Sequence, residues 1–299
     1  MIYGNQQAQQ SLNTIIRSVL VDWKSPAWFV ILAWHSNIGK TSAVEHIAKE
    51  VLWVYYVQDF FYVPDFSKQL GKTHTIKIGA TWSWPATIQL PDGKVYNDIG
   101  MRDVVYRLQK SSANGKKILL LENIERMTNA AANAFLKAAE EPLPGTVIVA
   151  TVTHKSQVME TILSRAITIP FQNLTLQEME QYSNGQWLVF KNDQIKDLFL
   201  SMAMWRPWIL SDLMNNIDDD VQQLFLDAMQ SLQSQQSIQS QYTALMKLQK
   251  IWYLQLFLDA WIQKNSQIDP EKSQSRLSLK KQIQTNVSID RLLLRTVIS

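Results

Sequence analysis

The sequence predicts an α/β chain, a doubly wound parallel sheet followed by an all-helical remainder. Three observations carry this. Three apolar runs of strand length, WFVILA at 28–33, KILLL at 117–121 and VIVATV at 147–152, lack polar alternation, as strands buried on both faces do. Segments with helical spacing separate them, which is the βαβ signature of a parallel sheet. From about residue 173 onward the periodicity is helical and no convincing strand remains.

Taken in order, residues 6–20 place Leu12, Ile15, Ile16 and Val19 on one side of an amphipathic helix. The run 28–33 is the first strand. A loop, HSNIG, leads into KTSAVEHIAKEVL, spaced as a helix. Residues 55–95 are aromatic and irregular, punctuated by Pro64, Gly71, Gly79, Pro85 and Gly93, with a hairpin expected around Pro91-Asp92-Gly93-Lys94. Residues 99–109 suggest a helix, 117–121 a strand. Thr128 is placed to N-cap the helix NAAANAFLKAAEE, which Pro142 ends. The strand 147–152 follows. The Gln- and Ser-rich tract 230–241 reads as a polar helix face or a flexible connection.

Composition narrows the function classes. With 46% hydrophobic and 18% charged residues the chain of 299 is globular and long enough for two or three domains. The net charge of +3 gives no global basic footprint for nucleic acid. The absence of cysteine excludes disulfides, thiolate zinc sites and cysteine nucleophiles, and fits a reducing cytosol. His35, His46, His74 and His154 show no metal-ligand spacing, so no zinc is expected. The start, MIYGNQQAQQ, lacks signal-peptide character, and no apolar run reaches the ~18 residues of a membrane helix, so a cytoplasmic, non-membrane protein is expected.

The chemistry concentrates at Gly39-Lys40-Thr41. In a strand–loop–helix phosphate site, backbone N–H groups and the helix N-terminus cradle phosphates. A lysine neutralises β/γ charge, and a hydroxyl holds Mg²⁺. The full pattern wants a glycine five residues before Gly39, where this chain has Trp34. The tripeptide alone is a weak signal, and an ordinary helix start is the competing reading.

Residues 117–171 hold an ordered set of motifs: Met127-Thr128, Ala131-Ala132-Asn133-Ala134, Leu136-Lys137, Glu140-Glu141-Pro142 and Thr161-Ile162-Leu163-Ser164-Arg165. This set closely resembles the bacterial DNA polymerase III clamp loader family, most of all its delta-prime members. Weaker similarity covers Val63-Pro64-Asp65-Phe66 and the phosphate loop, so the resemblance spans most of residues 1–172. It implies an AAA+ P-loop core over 1–172, a small helical lid over 173–216 and an all-α collar for oligomerisation over 217–299. It further implies a clamp loader subunit that supports ATP-dependent loading of the sliding clamp onto primed DNA. Its partners would be other loader subunits in a hetero-oligomeric ring, the sliding clamp and primer–template DNA. In the family the Ser-Arg arginine, here Arg165, reaches into a neighbour's ATP site as an arginine finger, and Thr151 matches a γ-phosphate sensor position.

The departures from the family bear on activity. Active members end the strand before Met-Thr in Asp-Glu; the corresponding residues here are Glu122 and Asn123. Glu122 can still serve Mg²⁺ together with Thr41. Asn123 is neutral and cannot act as a base, an aid worth ~10²–10⁴-fold. Own ATPase activity is therefore expected to be absent or very weak. Trp208, with Arg206 nearby, stands where motor subunits supply a second sensor arginine, which favours delta-prime. Two other readings remain: an active loader ATPase of the gamma or replication-factor-C type, and an AAA+ scaffold in DNA repair or recombination.

Eleven tryptophans stand against nine glycines, where ~7% glycine would give about 21. Trp34 sits at a phosphate-loop glycine position, Trp205 and Trp208 flank Arg206-Pro207 where the family has glycine, and Trp82 and Trp84 lie in a loop. Either several of these are glycine in the cell, through UGA codons read as glycine, or the chain is genuinely tryptophan-rich with a phosphate loop that no longer takes nucleotide. Trp252 and Trp261, in a helical segment, fit genuine tryptophan better.

Overall fold

The computed structural model describes residues 4–21, 29–34, 36–67, 74–79, 87–89, 93–97, 99–112, 114–140 and 142–233, together with 256, 257 and 260. The chain divides into two compact units, Met1–Asn173 and Leu174–Ser299.

The first unit is built on five parallel strands. They are β1 (Phe29–Ala33), β2 (Phe60–Val63), β5 (Lys117–Leu121), β6 (Thr146–Thr151) and β7 (Ile167–Pro170), in the order β2-β5-β6-β1-β7. β1 pairs with both β6 and β7, with Leu32 opposite Thr151 and Ile169. The expected parallel sheet is present, and the three apolar runs are its buried centre. The two strands that the sequence hid are the edges. β2 lies in the aromatic segment expected to be irregular; Phe60, Phe61 and Tyr62 are only half-buried, so their pattern is not that of a core strand. β7 is short, its first residue Ile167 is exposed, and it ends in Pro170, which an edge strand tolerates.

Each central strand feeds two cores by its period of two. Val30, Leu32, Ile118, Leu120, Val147 and Val149 face one layer. That layer is covered by α1 (Gln6–Leu20) and α2 (Lys40–Leu52), through Leu12, Ile16, Val44 and Ile47. Phe29, Ile31, Leu119, Leu121, Ile148 and Ala150 face the other. There α4 (Met101–Gln109) and α5 (Asn129–Glu140) pack, with Phe135 edge-on to Phe29 at 5.4 Å. A short helix, α3 (Tyr56–Asp59), precedes β2. Helices on both faces make the sheet doubly wound.

Local chemistry sets the helix ends. The Thr128 hydroxyl accepts from the Ala131 N–H at 3.2 Å, so Thr128 caps α5 as its position in the sequence predicts. Asp103 accepts from the Gly100 N–H at the start of α4. The buried Lys117 ammonium donates to the Arg107 carbonyl at 2.6 Å and to that of Lys110, closing the C-terminus of α4 against the start of β5. Burial lowers its pKa against the opposing pull of Asp59. β3 (Thr87–Gln89) and β4 (Val95–Asn97) form a separate antiparallel pair around the segment where a hairpin was expected. A short helix, α6 (Glu160–Leu163), precedes β7.

The second unit is helical among its described residues: α7 (Leu176–Gly185), α8 (Asp193–Ala203), α9 (Pro207–Asn216) and α10 (Asp219–Gln233). Thr175 and Glu178 form a reciprocal capping box on α7, Asn192 caps α8, and Pro207 opens α9. In α10 the buried residues are Gln222, Phe225, Ala228 and Met229, with the Phe225 ring tilted against that of Phe257 at 5.3 Å. Leu224 and Leu226, apolar neighbours of this line, are half-buried. Leu256 is half-buried; Leu254 and Leu258 lie outside the described residues. No helix among the described residues is long and apolar enough to cross a membrane.

Candidate functional site

The functional side chains gather at the C-terminal ends of the parallel strands, on both sides of the point where the strand order reverses between β1 and its neighbours. In open α/β sheets this is where ligands bind. β1 ends in Ala33 and hands over to the loop 34–39. Gly39 takes φ +92°, a left-handed turn that aims the first N–H groups of α2 back across the strand ends. Trp34 opens the loop with φ +79°, and its side chain is half exposed.

Lys40 is buried and folded inward. Its ammonium donates to the Val152 carbonyl at 3.0 Å and to the Trp34 carbonyl. Burial pulls its pKa down to about 8, against the opposing effect of Glu125 and then Glu122. Thr41, next on the helix, donates its hydroxyl to Glu122 at the end of β5. Glu122 also accepts the Asp65 N–H at 2.9 Å. A hydroxyl and a carboxylate already side by side are the oxygen donors that a Mg²⁺ ion retaining several waters uses. Thr41 and Glu122 would hold it, and Lys40 would meet the phosphate charge. Tyr62 lies against the same carboxylate; burial first, then the Glu122 charge and hydrogen bond, raise its pKa.

Asn123 has φ +51°, a conformation asparagine tolerates. Its N–H donates to the Thr151 hydroxyl at 3.1 Å and its side-chain amide donates to Asp65 at 2.6 Å. Thr151 is buried at the end of β6, so its hydroxyl is committed to the backbone beside Asn123. The structure thus brings Trp34, Gly39, Lys40, Thr41, Glu122 and Thr151 into one group.

The group also contains residues that pattern reading did not single out as a site. Asp65 binds the Arg126 guanidinium, the Ser67 hydroxyl and N–H, and the Asn123 amide. Burial alone would raise the Asp65 pKa; the two Ser67 hydrogen bonds, Asn123 and Arg126 together outweigh it and hold it low. Glu125 accepts the Thr153 N–H at 2.9 Å through one oxygen, while its other oxygen is buried without a hydrogen-bond partner. The Pro-Asp of the segment 63–66 was the only sequence signal for Asp65. Nothing in the sequence marked Glu125, because its role depends on how the short helical turn 124–126 aims it.

Arg165 is not part of this group. It precedes β7, at the N-terminal edge of the sheet, whereas the phosphate loop follows the C-terminal end of the parallel neighbour β1. The side chain is exposed, ion-paired with Glu140 at 2.7 Å and bonded to the Thr161 carbonyl at 2.8 Å. In the second unit Arg206 donates to the Ala203 carbonyl at 3.2 Å, and Trp208 is half exposed on α9.

A family model described as DNA polymerase III, delta subunit, matches residues 91–175, the stretch that holds the Asn123, Thr151 and Arg165 motifs. Over this stretch the chain is similar to delta-prime subunits of the DNA polymerase III clamp loader. Three curated relatives named DNA polymerase III subunit delta' agree. The Haemophilus influenzae protein is 27% identical over 188 residues, covering 60% of this chain and 52% of the relative. The Bacillus subtilis protein is 30% identical over 107 residues, 36% of this chain and 28% of the relative. The Pseudomonas aeruginosa protein is 29% identical over 136 residues, 44% of this chain and 39% of the relative. The matches span about half or less of these relatives' length. Among solved structures, a gamma-subunit-related protein of DNA polymerase III from Thermotoga maritima has the same fold, at a TM-score of 0.51, 15% identity and 97% coverage of both chains. A parallel sheet with helices on both faces, followed by a helical unit, is the fold this structure shares.

Proposed function

We propose that this delta-prime-like chain is a stator subunit of the clamp loader: it does not hydrolyse ATP itself and lends Arg165 to the ATP site of a neighbouring subunit. The observation that carries the reading is the separation of parts on one sheet. Arg165, within an intact Thr-Ile-Leu-Ser-Arg run, sits at the edge opposite the chain's own phosphate loop, so its guanidinium serves a second molecule better than its own site. At the chain's own site, position 123 offers an amide where a base is needed. Asp65 does not replace it, since Arg126, Ser67 and Asn123 consume its oxygens and keep it a weak base.

In this reading Arg165 exchanges Glu140 for the transferring phosphate of the neighbour, an exposed ion pair that costs little to break. Lys40, Thr41 and Glu122 are the residues that would bind ATP and Mg²⁺, weakly or not at all if position 34 is tryptophan, and no zinc is required. The partners are the other loader subunits in a hetero-oligomeric ring, the sliding clamp and primer–template DNA, in the cytoplasm. Reconstitution with the partner subunits tests it. DNA-stimulated ATPase should depend on Arg165 while the isolated chain shows no turnover above background.

One observation favours a second reading, a slow loader ATPase. The orphan oxygen of Glu125 lies in the same group as Lys40, and a carboxylate there is a candidate base. Turnover by the isolated chain that disappears in Glu125→Gln would select this reading over the first.

A further inference from the structure

Tryptophan in this chain occupies backbone conformations that belong to glycine. Five tryptophans lie among the described residues: Trp34, Trp53, Trp187, Trp205 and Trp208. Four of them have positive φ, at +79°, +48°, +55° and +61° for Trp34, Trp53, Trp187 and Trp205. A bulky L residue in that region is a genuine outlier, because its Cβ crowds the backbone, whereas glycine enters freely. This is not a property of aromatic residues here. None of the ten phenylalanines and none of the described tyrosines has positive φ. The other non-glycine residues that do are three asparagines, which tolerate it, and Met204 beside Trp205.

The positions are also those where helices require glycine. α7 ends with the Leu188 N–H bonded to the Ser183 carbonyl at 2.9 Å and the Trp187 N–H bonded to the Asn184 carbonyl at 3.2 Å. This is a Schellman motif with Trp187 at its left-handed residue, the place glycine most often fills. Trp53 ends α2 with φ +48° and ψ −118°, a combination open essentially to glycine alone. Trp205 follows α8 immediately after its C-cap. Nor do the rings find a core. Trp53 is 77% exposed and Trp187 is 88% exposed, although tryptophan is highly buried on average.

A common cause must act on tryptophan and on no other residue type, and must deplete glycine by a similar number. Decoding does both. We propose that positions 34, 53, 187 and 205 are glycine in the cell to which this gene belongs, encoded by UGA, and that tryptophan stands there only where UGA is decoded as tryptophan. The proposal is independent of the clamp-loading role. It changes the site, because residues 34–41 then read Gly-x-x-x-x-Gly-Lys-Thr, a complete phosphate loop for a nucleoside triphosphate with no indole at its entrance. Trp208 has helical backbone, so the conformational argument does not reach it.

Two measurements decide the matter. The codons at the four positions should all be UGA, and the native peptide covering residues 25–40 should be lighter than the tryptophan form by the indole-bearing side chain. A UGG codon at any of the four, or a native peptide with the tryptophan mass at position 34, overturns the proposal. Independently, the full chain carrying W34G, W53G, W187G and W205G together, set against the tryptophan form, should melt about 5 °C or more higher. It should also bind Mg²⁺–ATP at least tenfold tighter. A lower melting temperature would show that the tryptophans are native to their sites and would overturn the proposal as well.

Discussion

The two ends of the parallel sheet in the first unit carry different sets of polar residues. At the C-terminal ends, Lys40, Thr41 and Glu122, the residues proposed to meet phosphate and metal, are assembled, while Asn123, at the position proposed to need a base, is bonded to Asp65 and Thr151. At the N-terminal edge, Arg165 keeps its motif and lies exposed on a weak ion pair. The difference teaches that a doubly wound sheet can carry two sets of polar residues independently, because no side chain is shared between the two ends; under the proposed function one end would serve a neighbour's chemistry and the other would have lost its own. Position 123 must also satisfy the strand-end network, and an asparagine with φ +51° does so without strain that a glutamate would incur.

The comparison breaks most sharply at Arg165. Arg165→Ala should lower the DNA-stimulated ATPase of the reconstituted loader by ~10³-fold or more, since a finger acts in the transition state. The melting temperature of the chain should hardly move. Equal activity of mutant and parent loaders would show that the exposed edge is not catalytic. At the other end, Asn123→Glu should raise turnover of the isolated chain by ~10²-fold if a base is all that is missing. An unchanged rate measured by phosphate release would place the defect in nucleotide binding instead.

Stability sharpens the same contrast. Asp65→Ala leaves Arg126 without its carboxylate in a mostly buried setting and should cost about 3 kcal/mol, measured by urea unfolding. The surface pair behaves oppositely: Glu140→Gln should cost under about 0.5 kcal/mol, because both partners are solvated.

Lys40 contributes a pH dependence. Its folded pKa, about 8, lies below its ordinary value of 10.5, so the folded chain loses this proton before the unfolded chain does. The cost of burying the charge is present in full below about pH 8 and is relieved as pH rises from there toward 10.5, so this residue alone makes stability rise with pH in that window. Triphosphate binding has the opposite slope, because phosphate requires the ammonium. Affinity should weaken above about pH 8, and Lys40→Met should remove that dependence in a titration with Mg²⁺–ATP.

Some of this was legible in the residues because it is local. The three unbroken apolar runs mark strands buried on both faces, since only burial on both sides removes polar alternation. Thr128 marks a helix start because its hydroxyl reaches the third N–H ahead. Gly39-Lys40-Thr41 and the Ser164-Arg165 run are contiguous, so their chemistry is written in sequence order. What the tertiary structure alone decided is non-local. The edge strands β2 and β7 pair with segments far along the chain and are too exposed to carry a core pattern. Asp65, Ser67 and Arg126 meet across about sixty positions, and Glu125 and Thr153 across 28. The buried line of α10 runs through Phe225 instead of its apolar neighbours Leu224 and Leu226, because the contact with Phe257 sets the buried face. The same holds for the tryptophans: their number is visible in the composition, but only the backbone angle shows which of them stand where glycine alone is at ease.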